Sequence, residues 1–492
     1  MGRLKLGRIG WIGVGVLLSV ATGASLALTA ESSLSILILL TVVGLFALLS
    51  PQLAFYAALL FLPFSFRYII PDRSLEVQTP TEPLLGMLVF FSFIRLVFDH
   101  AIGQPRDFTS TTDPAEVTNT IGDRSFPFTW PVLLFILVHF ISTINAPDTL
   151  GSIKGAIRAS VYVLACFLAY RSIPNLTELR RLAIVVFPPA VAAVIWTVVV
   201  LVYNLDAWQW TSAYQGSPFT NYTAYGQFTA VFLLIVLSRL LIDRSAYDRT
   251  IWIGLLIIFT GGMLMCFSRG VWLALIISTG FLWLNAQRSD MGKKLIFLGL
   301  AVAPLLILLV LPGTSGLIQE RLFTMFDLQF ASNRSRLLRW GQALLMFLNH
   351  PIMGNGYGAF AMIYKENPGL SGLYKAQFQL GAHSEHLRIL AEMGIVGIVI
   401  WIAVLFAFFR FGLSAVLRIQ DGFFRSLIVG LIAVEFSMSI LFLVNDLPEG
   451  DVLAVPFWVI YGLLPAVVRM ADQADSQATN DIVHNDANWT LL

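Results

Sequence analysis

Long apolar runs recur from one end of the chain to the other, and they restrict what it can fold into more than any other feature. The runs are about 16 to 23 residues long, the length at which a helix crosses the hydrocarbon core of a bilayer. Composition agrees, because 57% of the 492 residues are hydrophobic and 12% are charged, with a mean hydropathy of +0.78. This composition excludes an ordinary soluble domain and predicts a polytopic membrane protein.

The apolar runs predict an all-α bundle of about fourteen transmembrane helices with one large outer loop that contains short helices. The two runs near 34–66 also fit a single re-entrant hairpin. The first run has a basic start and fits a signal peptide as an alternative, but its long apolar core favours a retained span. The predicted spans are 10–29, 34–49, 51–66, 84–98, 128–145, 156–171, 181–203, 222–242, 251–267, 270–286, 294–311, 387–409, 425–443 and 452–468.

Lysine and arginine collect in alternate connections, and this distribution orients the predicted spans. With fourteen spans, the basic clusters in the short connections all fall on the cytoplasmic side, together with both termini. The clusters are Arg3, Lys5, Arg8, Arg171, Arg180, Arg181, Arg239, Arg244, Arg249, Arg288, Lys293, Lys294, Arg410, Arg418, Arg425 and Arg469. The outer side receives the connection 204–221, which has no lysine or arginine, the long loop 312–386 and the acidic turn 445–451.

The long outer loop breaks this charge rule, because it contains Arg334, Arg336 and Arg339. Ser332 or Asn333 is predicted to cap a helix that ends near Leu348. Arg336 and Arg339 are three residues apart, so they share one face, where two guanidinium groups can bind one diphosphate. The alternative is a solvated face that touches lipid headgroups. The apolar side of this helix comprises Leu337, Leu338, Leu344, Leu345 and Leu348.

A histidine motif ends the outer loop, with His383 and His386 predicted one helical turn apart at the mouth of a span. Two histidines with Glu385 or Glu392 are compatible with a metal, but no third ligand has a familiar spacing. A neutral imidazole acting as general base fits better, since its ordinary pKa near 6.5 suits removal of a hydroxyl proton. We therefore predict neither a metal site nor a cofactor. The preceding turn, Gly354 to Gly358, is either a plain turn or a phosphate-approaching loop.

Further charged residues interrupt apolar sequence. Arg269 lies between two predicted spans at the outer surface, where it binds a ligand or extends to the headgroups. Glu435 is in the middle of a span, and a buried arginine partner is one explanation for it. Asp446 and Asp451, with Glu449 between them, form an outer acidic patch that either meets sugars or pairs with the same arginines.

These motifs occur in a characteristic order. The serine-arginine-glycine at 268–270, the 336–340 segment, PIMGNGYGAF and HSEHLRILAEMGIVG together resemble the O-antigen ligase and polymerase superfamily of bacterial membrane glycosyltransferases. In that family a large periplasmic loop carries an arginine four residues before a Trp, here Arg336, and ends in a His-Asn motif. Ser384 replaces the asparagine, so no role of that residue is carried over. The closing motif is matched by His383, Leu387, Glu392 and Gly394.

The resemblance is specific over 251–401 and divides the chain into three parts: N-terminal transmembrane helices 1–250, an O-antigen ligase-like core 251–470 that includes the loop 312–386, and a disordered cytoplasmic tail 471–492. It implies metal-independent, inverting transfer of a glycan from an undecaprenyl diphosphate-linked donor to an acceptor hydroxyl, at the periplasmic face of the bacterial inner membrane. His383 would be the base, and Arg269, Arg336 and Arg339 would bind the diphosphate. Supporting residues would be Arg334, Glu392 and His386.

The acceptor defines the activity within this family. The expected partners are the lipid-linked donor, membrane lipids and either lipid A-core or a growing polysaccharide, with no nucleic acid. We favour a ligase slightly over a polymerase, and a form that glycosylates proteins is a third activity. Tyr357 and Tyr364 either stack on sugars or pack as ordinary aromatic residues. Two other classes of function are alternatives to a glycosyltransferase. One is a transporter, in which Glu435 carries protons, and the other is a structural scaffold for polysaccharide export.

Overall fold

A computed structural model describes residues 44, 50–70, 75–79, 81–102, 126–204, 211–219, 221–243, 249–266, 268–286, 327, 331–366, 381–446 and 450–489. The predicted spans 10–29 and 294–311 lie outside the described residues, as does 34–49 apart from residue 44. Residues 104–125, a polar stretch rich in Thr and Asp, also lie outside them.

The described chain is mainly helical, as the sequence predicts. The helices are α1 (Pro51–Phe61), α2 (Thr81–Ile102), α3 (Thr129–Ser142), α4 (Thr149–Ser172), α5 (Leu176–Tyr203), α6 (Tyr222–Ile242), α7 (Arg249–Leu264), α8 (Arg269–Asn285), α9 (Ala331–Asn349), α10 (Ala359–Glu366), α11 (Glu385–Arg418), α12 (Gly422–Leu441) and α13 (Asp451–Trp489). Short 3-10 helices cover Leu62–Phe64, Thr143–Asn145 and Thr211–Tyr214. Every predicted span within the described residues overlaps one of these helices, although the span count stays a prediction.

One element departs from the all-α prediction. Strands β1 (Phe66–Ile70) and β2 (Leu75–Thr79) pair antiparallel, with Phe66 opposite Thr79 and Ile70 opposite Leu75. The run predicted as a span over 51–66 therefore ends earlier, and its last residue begins a strand. Aromatic and β-branched residues in FRYII favour this conformation.

The lengths of the helices identify a multi-pass membrane protein. Six helices in the described part of the chain are long and apolar enough to cross a bilayer: Thr149–Ser172, Leu176–Tyr203, Tyr222–Ile242, Glu385–Arg418, Gly422–Leu441 and Asp451–Gln477. Shorter apolar helices of 10–17 residues cover Pro51–Phe64, Thr81–Ser92, Thr129–Asn145, Arg249–Leu264 and Arg269–Asn285.

Helices α6, α12 and α13 form the interior of the bundle. α13 packs against α4, while α12 packs against both α6 and α8. Trp401 of α11, Phe457 and Tyr461 form an aromatic cluster between α11 and α13, and all three are almost fully buried. This packing fixes the end of α11 at which the candidate site lies.

Three of the basic residues assigned to one side by sequence make contacts between helices in the described part of the chain. Arg469 donates hydrogen bonds to the carbonyl oxygens of Tyr170 and Ile173, and Arg418 forms an ion pair with Asp472. Arg239 donates to the Ser426 hydroxyl at the start of α12. The orientation deduced from lysine and arginine stays a prediction.

The C-terminal tail differs from the prediction of a disordered segment, because α13 continues to Trp489. No glycine or proline follows Pro465, so nothing in the sequence ends the helix. The ion pair between Asp472 and Arg418 also holds the tail against α11 at 3.1 Å.

Helix α11 is broken at Gly394, and the loop after α9 compensates for the break. Gly394 has φ 65° and ψ −161°, so the helical hydrogen-bond ladder stops there. The backbone amides that follow the break find partners outside the helix. Those of Ile395 and Val396 donate to the carbonyls of Pro351 and Ile352 at 2.8 and 3.4 Å. A broken helix in a bilayer requires such internal partners.

The same loop satisfies the carbonyl groups on the other side of the break. The Asn355 amide donates to the Ala391 carbonyl at 3.1 Å, and the Gly356 amide donates to the Glu392 carbonyl at 2.9 Å. A Cβ on Gly354 would overlap the Glu392 backbone. The PIMGNGYG motif is thus a structural partner of α11, consistent with the plain-turn alternative.

We predict that Gly394→Ala destabilises the protein. The backbone of Gly394 lies in a region that only glycine adopts readily, at a cost of about 1–3 kcal/mol for another residue, and a Cβ would also overlap the Ile352 carbonyl oxygen. The thermal midpoint of unfolding in detergent should fall. Gly280→Ala is the control, because Gly280 is helical with open space around its Cα; an equal loss in both variants would contradict the explanation.

Candidate functional site

Arg269 begins α8 and is linked to the arginine helix α9. Ser268 precedes it as the N-cap residue, and its hydroxyl contacts the Thr223 hydroxyl of α6 at 3.3 Å. The Arg269 guanidinium donates to the side-chain oxygen of Asn333 at 3.4 Å. Two motifs that are 64 residues apart in sequence therefore meet.

Helix α9 presents its arginines in different environments. The predicted helix is found over Ala331–Asn349, but the predicted cap is wrong, because Ser332 and Asn333 both lie inside the helix. Arg334 is exposed, Arg336 is partly buried, and Arg339 is only 3% exposed. Burial lowers the pKa of the Arg336 guanidinium; Tyr222 opposes this shift and the charge of Arg339 adds to it. The arginine face thus points into the protein, in contrast to the solvated alternative.

Arg339 is a buried cation that no described carboxylate neutralises. Its Nη1 donates to the Gly381 carbonyl at 3.0 Å, and its guanidinium lies 5.6 Å from the centre of the Tyr364 ring. Within the described part of the chain, its Nε is buried and has no hydrogen-bond partner. A desolvated charge is costly without a counter-charge, so this environment favours a bound anion.

His383 is not part of α11, and this corrects the prediction that both histidines lie one helical turn apart. Its φ of 53° places it in the left-handed region, just before the helix begins at Glu385. The N-cap is Ser384, whose hydroxyl accepts from the Leu387 amide at 3.4 Å. Serine and asparagine are both favoured N-cap residues, so the replacement of the family asparagine preserves the cap.

The unusual backbone of His383 is held by Asp446. Its carboxylate accepts hydrogen bonds from the backbone amides of His383 at 3.0 Å and Ser384 at 2.9 Å. A Cβ on Gly381 would overlap Asp446, so only glycine fits at that position. Burial and the charge of Glu385 raise the pKa of Asp446 to about 6, although Arg388 and the two amides act in the opposite direction.

Helix α9 also contacts His383. The Trp340 indole donates to the His383 carbonyl at 3.3 Å. Burial and the positive charges of Arg339 and Arg336 lower the pKa of His383 to about 3. The imidazole is therefore neutral at ordinary pH, and it lies within the field of both arginines. The structure thus places His383 close enough to Arg336 and Arg339 for both charges to act on it.

Arg388 is the centre of a buried ion-pair network behind the histidine. Its guanidinium donates to Glu385 at 2.6 Å and to Glu392 at 2.9 Å. Glu392 also accepts from the Phe360 amide at the start of α10, at 3.1 Å. His386 lies nearby, with Nδ1 3.3 Å from the Phe442 carbonyl oxygen. Glu392 and His386 thus connect α11 to its neighbours.

The two tyrosines considered for sugar stacking take part in internal packing. Tyr364 is buried and stacks on Phe360, with ring centroids 5.8 Å apart. The Tyr357 ring contacts the His139 ring at 4.9 Å and lies 5.5 Å from the guanidinium of Arg388. These contacts agree with the ordinary aromatic alternative.

Glu435 is fully buried in α12, beside Tyr461 of α13. The arginine partner considered for it is not found among the described residues. Asp451 is also buried, whereas Glu449 lies outside the described residues. In the part of the chain that the structure describes, no group of three or more His, Cys, Asp or Glu residues could hold a metal ion.

Comparison with known families agrees with the order of the motifs. Residues 253–402 match a family model described as O-antigen ligase. This segment includes α7, α8, α9, α10, His383 and the break in α11, and it nearly coincides with the segment 251–401 on which the resemblance rested. No curated protein matches the chain.

The resemblance to the O-antigen ligase and polymerase superfamily is therefore confirmed through this domain. The protein is a multi-pass membrane protein that carries a domain similar to the O-antigen ligase family, a family of glycosyltransferase-like enzymes that act on lipid-linked polysaccharides.

Sequence reasoning did not single out Arg388 and named Asp446 only as part of a patch. Glu385 and Glu392 lie three residues before and four residues after Arg388, which is the spacing of helical ion pairs. The ion pairs of Arg388 could therefore have been predicted from the sequence. Asp446 is 63 residues from His383, and no local pattern indicates that contact. By contrast, 328–365 contains no acidic residue, so α9 offers its arginines no carboxylate from its own sequence.

We predict that Arg388→Met destabilises the fold strongly. The substitution leaves two buried carboxylates without their cation, which typically costs about 3–5 kcal/mol. The unfolding midpoint in detergent should fall sharply, with partial recovery in Arg388→Lys. The matched control is Arg418→Met, whose ion pair is more than half exposed on the arginine side and should contribute about 0–1 kcal/mol. Similar losses in both would contradict the network.

Proposed function

We propose that the protein transfers a glycan from an undecaprenyl diphosphate-linked donor to an acceptor hydroxyl at the periplasmic face of the bacterial inner membrane. The reaction would be metal-independent and invert the anomeric centre, with O-antigen ligation to lipid A-core slightly favoured over polymerisation of repeat units. The supporting observation is the convergence of two inward-facing arginines on a neutral, strained histidine. About fourteen spans, an outer loop 312–386 and cytoplasmic termini complete the proposed topology.

Arg336 and Arg339, together with Arg269, would bind the diphosphate of the donor. Arg339 supplies a buried guanidinium with an unused Nε donor among its described contacts. Arg269 reaches the same helix through Asn333. Guanidinium groups bind phosphate oxygens with charge-assisted hydrogen bonds, and these strengthen as negative charge develops on the leaving diphosphate. Arg334 is exposed and would make a peripheral contact.

His383 would accept the proton of the acceptor hydroxyl while its oxygen attacks the anomeric carbon from the side opposite the diphosphate. A pKa of about 3 makes the free imidazole a weak base, because the two arginine charges disfavour its protonation. A bound diphosphate would offset those charges and raise the pKa of His383 toward the working pH. Donor binding would thereby activate the base.

Asp446 would act as a positioning residue for that base. Its two hydrogen bonds hold the backbone of His383 in a conformation that histidine rarely adopts. They thereby fix the backbone position from which the imidazole projects. Glu392, Arg388 and His386 would support the same segment from the other side through α10 and α11.

The central experiment is glycan transfer in proteoliposomes that contain the purified protein and an undecaprenyl diphosphate-linked oligosaccharide. His383→Ala should reduce kcat about 100-fold or more, the usual effect of losing a general base. Arg336→Ala should weaken donor binding about tenfold to a hundredfold, as expected for a lost charge-assisted hydrogen bond. Lipid A-core and additional donor are offered separately, so that a glycosylated core indicates a ligase and a lengthened donor indicates a polymerase.

Two variants serve as controls because they keep the residue type but lie away from the site. His350 is exposed at the end of α9, and Arg410 is exposed on α11 among the residues assigned to the opposite side. His350→Ala and Arg410→Ala should transfer glycan at the wild-type rate. If wild type forms no product with any donor, or if His383→Ala matches wild type, the transferase proposal fails and transport assays follow.

We also predict that kcat/KM falls as the pH drops through about 6. In this range Asp446, whose pKa is raised to about 6, takes up a proton and loses one of its acceptor oxygens. Asp446→Asn should be less active at pH 8 and should lack this acid limb. Asp421→Asn is the control, because Asp421 accepts an amide hydrogen bond as the N-cap of α12, remote from His383. An unchanged acid limb in Asp446→Asn would contradict the assignment.

A further inference from the structure

Helix α9 has the reverse of the arrangement found in a soluble amphipathic helix. Its arginine side is buried, whereas its apolar side is exposed: Leu348 is 68% exposed and Leu344 is 46% exposed. Leu337, Leu344 and Leu348 follow a spacing of seven and four residues, so they form one stripe along the helix. Leu345 is exposed beside this stripe. We call these four residues the leucine face.

The leucine face leads directly into the exposed side of a membrane-spanning helix. Ile352 follows α9 and is 63% exposed, and its carbonyl accepts the Val396 amide just beyond the break in α11. From that point exposed apolar residues continue along α11 at helical spacing. They are Ile395, Val399, Ile402 and Phe406. Because α11 is long and apolar enough to cross a bilayer, this exposed side faces lipid.

We propose that the leucine face of α9 is immersed in the outer leaflet, where phospholipid acyl chains cover it. Continuity with the lipid-facing side of α11 identifies the occupant, since a contiguous apolar surface of this kind is rarely left in water. Arg334 is exposed near the start of the leucine face, where its long side chain can reach the headgroups.

This placement sets the depth of the anion-binding side. Arg336 and Arg339 project from the same helix away from the leucine face, so an immersed α9 holds them near the level of the headgroups. A lipid-linked diphosphate lies at that level, because its chain is dissolved in the bilayer. The membrane contact itself does not depend on glycan transfer, so the two proposals can fail separately.

Site-directed fluorescence quenching in proteoliposomes tests the membrane contact. Leu344→Cys and Leu348→Cys are each labelled with an environment-sensitive fluorophore in the full-length protein. Labelled wild type gives the background, since Cys166 and Cys266 are buried. Val399→Cys is the lipid-facing reference on α11, and Ser476→Cys, which is exposed on the polar end of α13, is the aqueous reference.

Quenching by doxyl-labelled phospholipid at 344 and 348 should lie within about twofold of that at 399, with little quenching by aqueous iodide. Strong iodide quenching without lipid quenching, as at 476, would place the leucine face in water and overturn the proposal. Protection from both quenchers would mean that protein covers the face, either a second copy or another segment, and would also overturn it. Transfer activity is measured on the same samples, which separates this outcome from failure of the transferase.

Discussion

The break in α11 at Gly394 is the constraint on which the arrangement of the site depends. A helix that is interrupted in a bilayer leaves amide and carbonyl groups that water cannot reach, and each must find a partner in the protein. The segment 351–356 provides these partners on both sides of the break. The chain between α9 and α10 is therefore tied to α11 by backbone hydrogen bonds, and the close approach of the two segments requires glycine at 354 and 394.

This attachment makes the end of α9 and the start of α11 one unit, and the site lies within it. Asn355 adds side-chain bonds to the carbonyls of Met346 and Ala391, both at 2.9 Å, so the last turn of α9 is connected to α11. Asp446 provides a second attachment from the turn after α12. His383 lies between the two attachments, which explains how a left-handed histidine backbone persists without secondary structure of its own.

The sequence predicted the parts of this arrangement that have a local signal. Apolar run length located the helices and motif order located the family domain, whereas the predicted cap at Ser332 or Asn333 falls inside α9. Three features were missed or mistaken. The β1–β2 hairpin follows a helix in apolar sequence that resembles a span, and α13 continues to Trp489 through sequence that contains no glycine or proline. His383 lies outside the helix, where its backbone amide is bound by the distant Asp446.

The two buried arginines nearest the site show why residue type alone does not predict a role. Arg388 has carboxylates at both helical neighbour positions, and its charge is used within the protein. Arg339 has no acidic residue within its own helix, and its described contacts are a carbonyl and an aromatic ring. Burial removes both guanidinium groups from water. Among the described residues, Arg388 is compensated by two carboxylates, whereas Arg339 contacts no carboxylate. A buried arginine on an acid-free helix is thus better placed to bind an external anion, and α9 also exposes the leucine face that we propose to be covered by lipid.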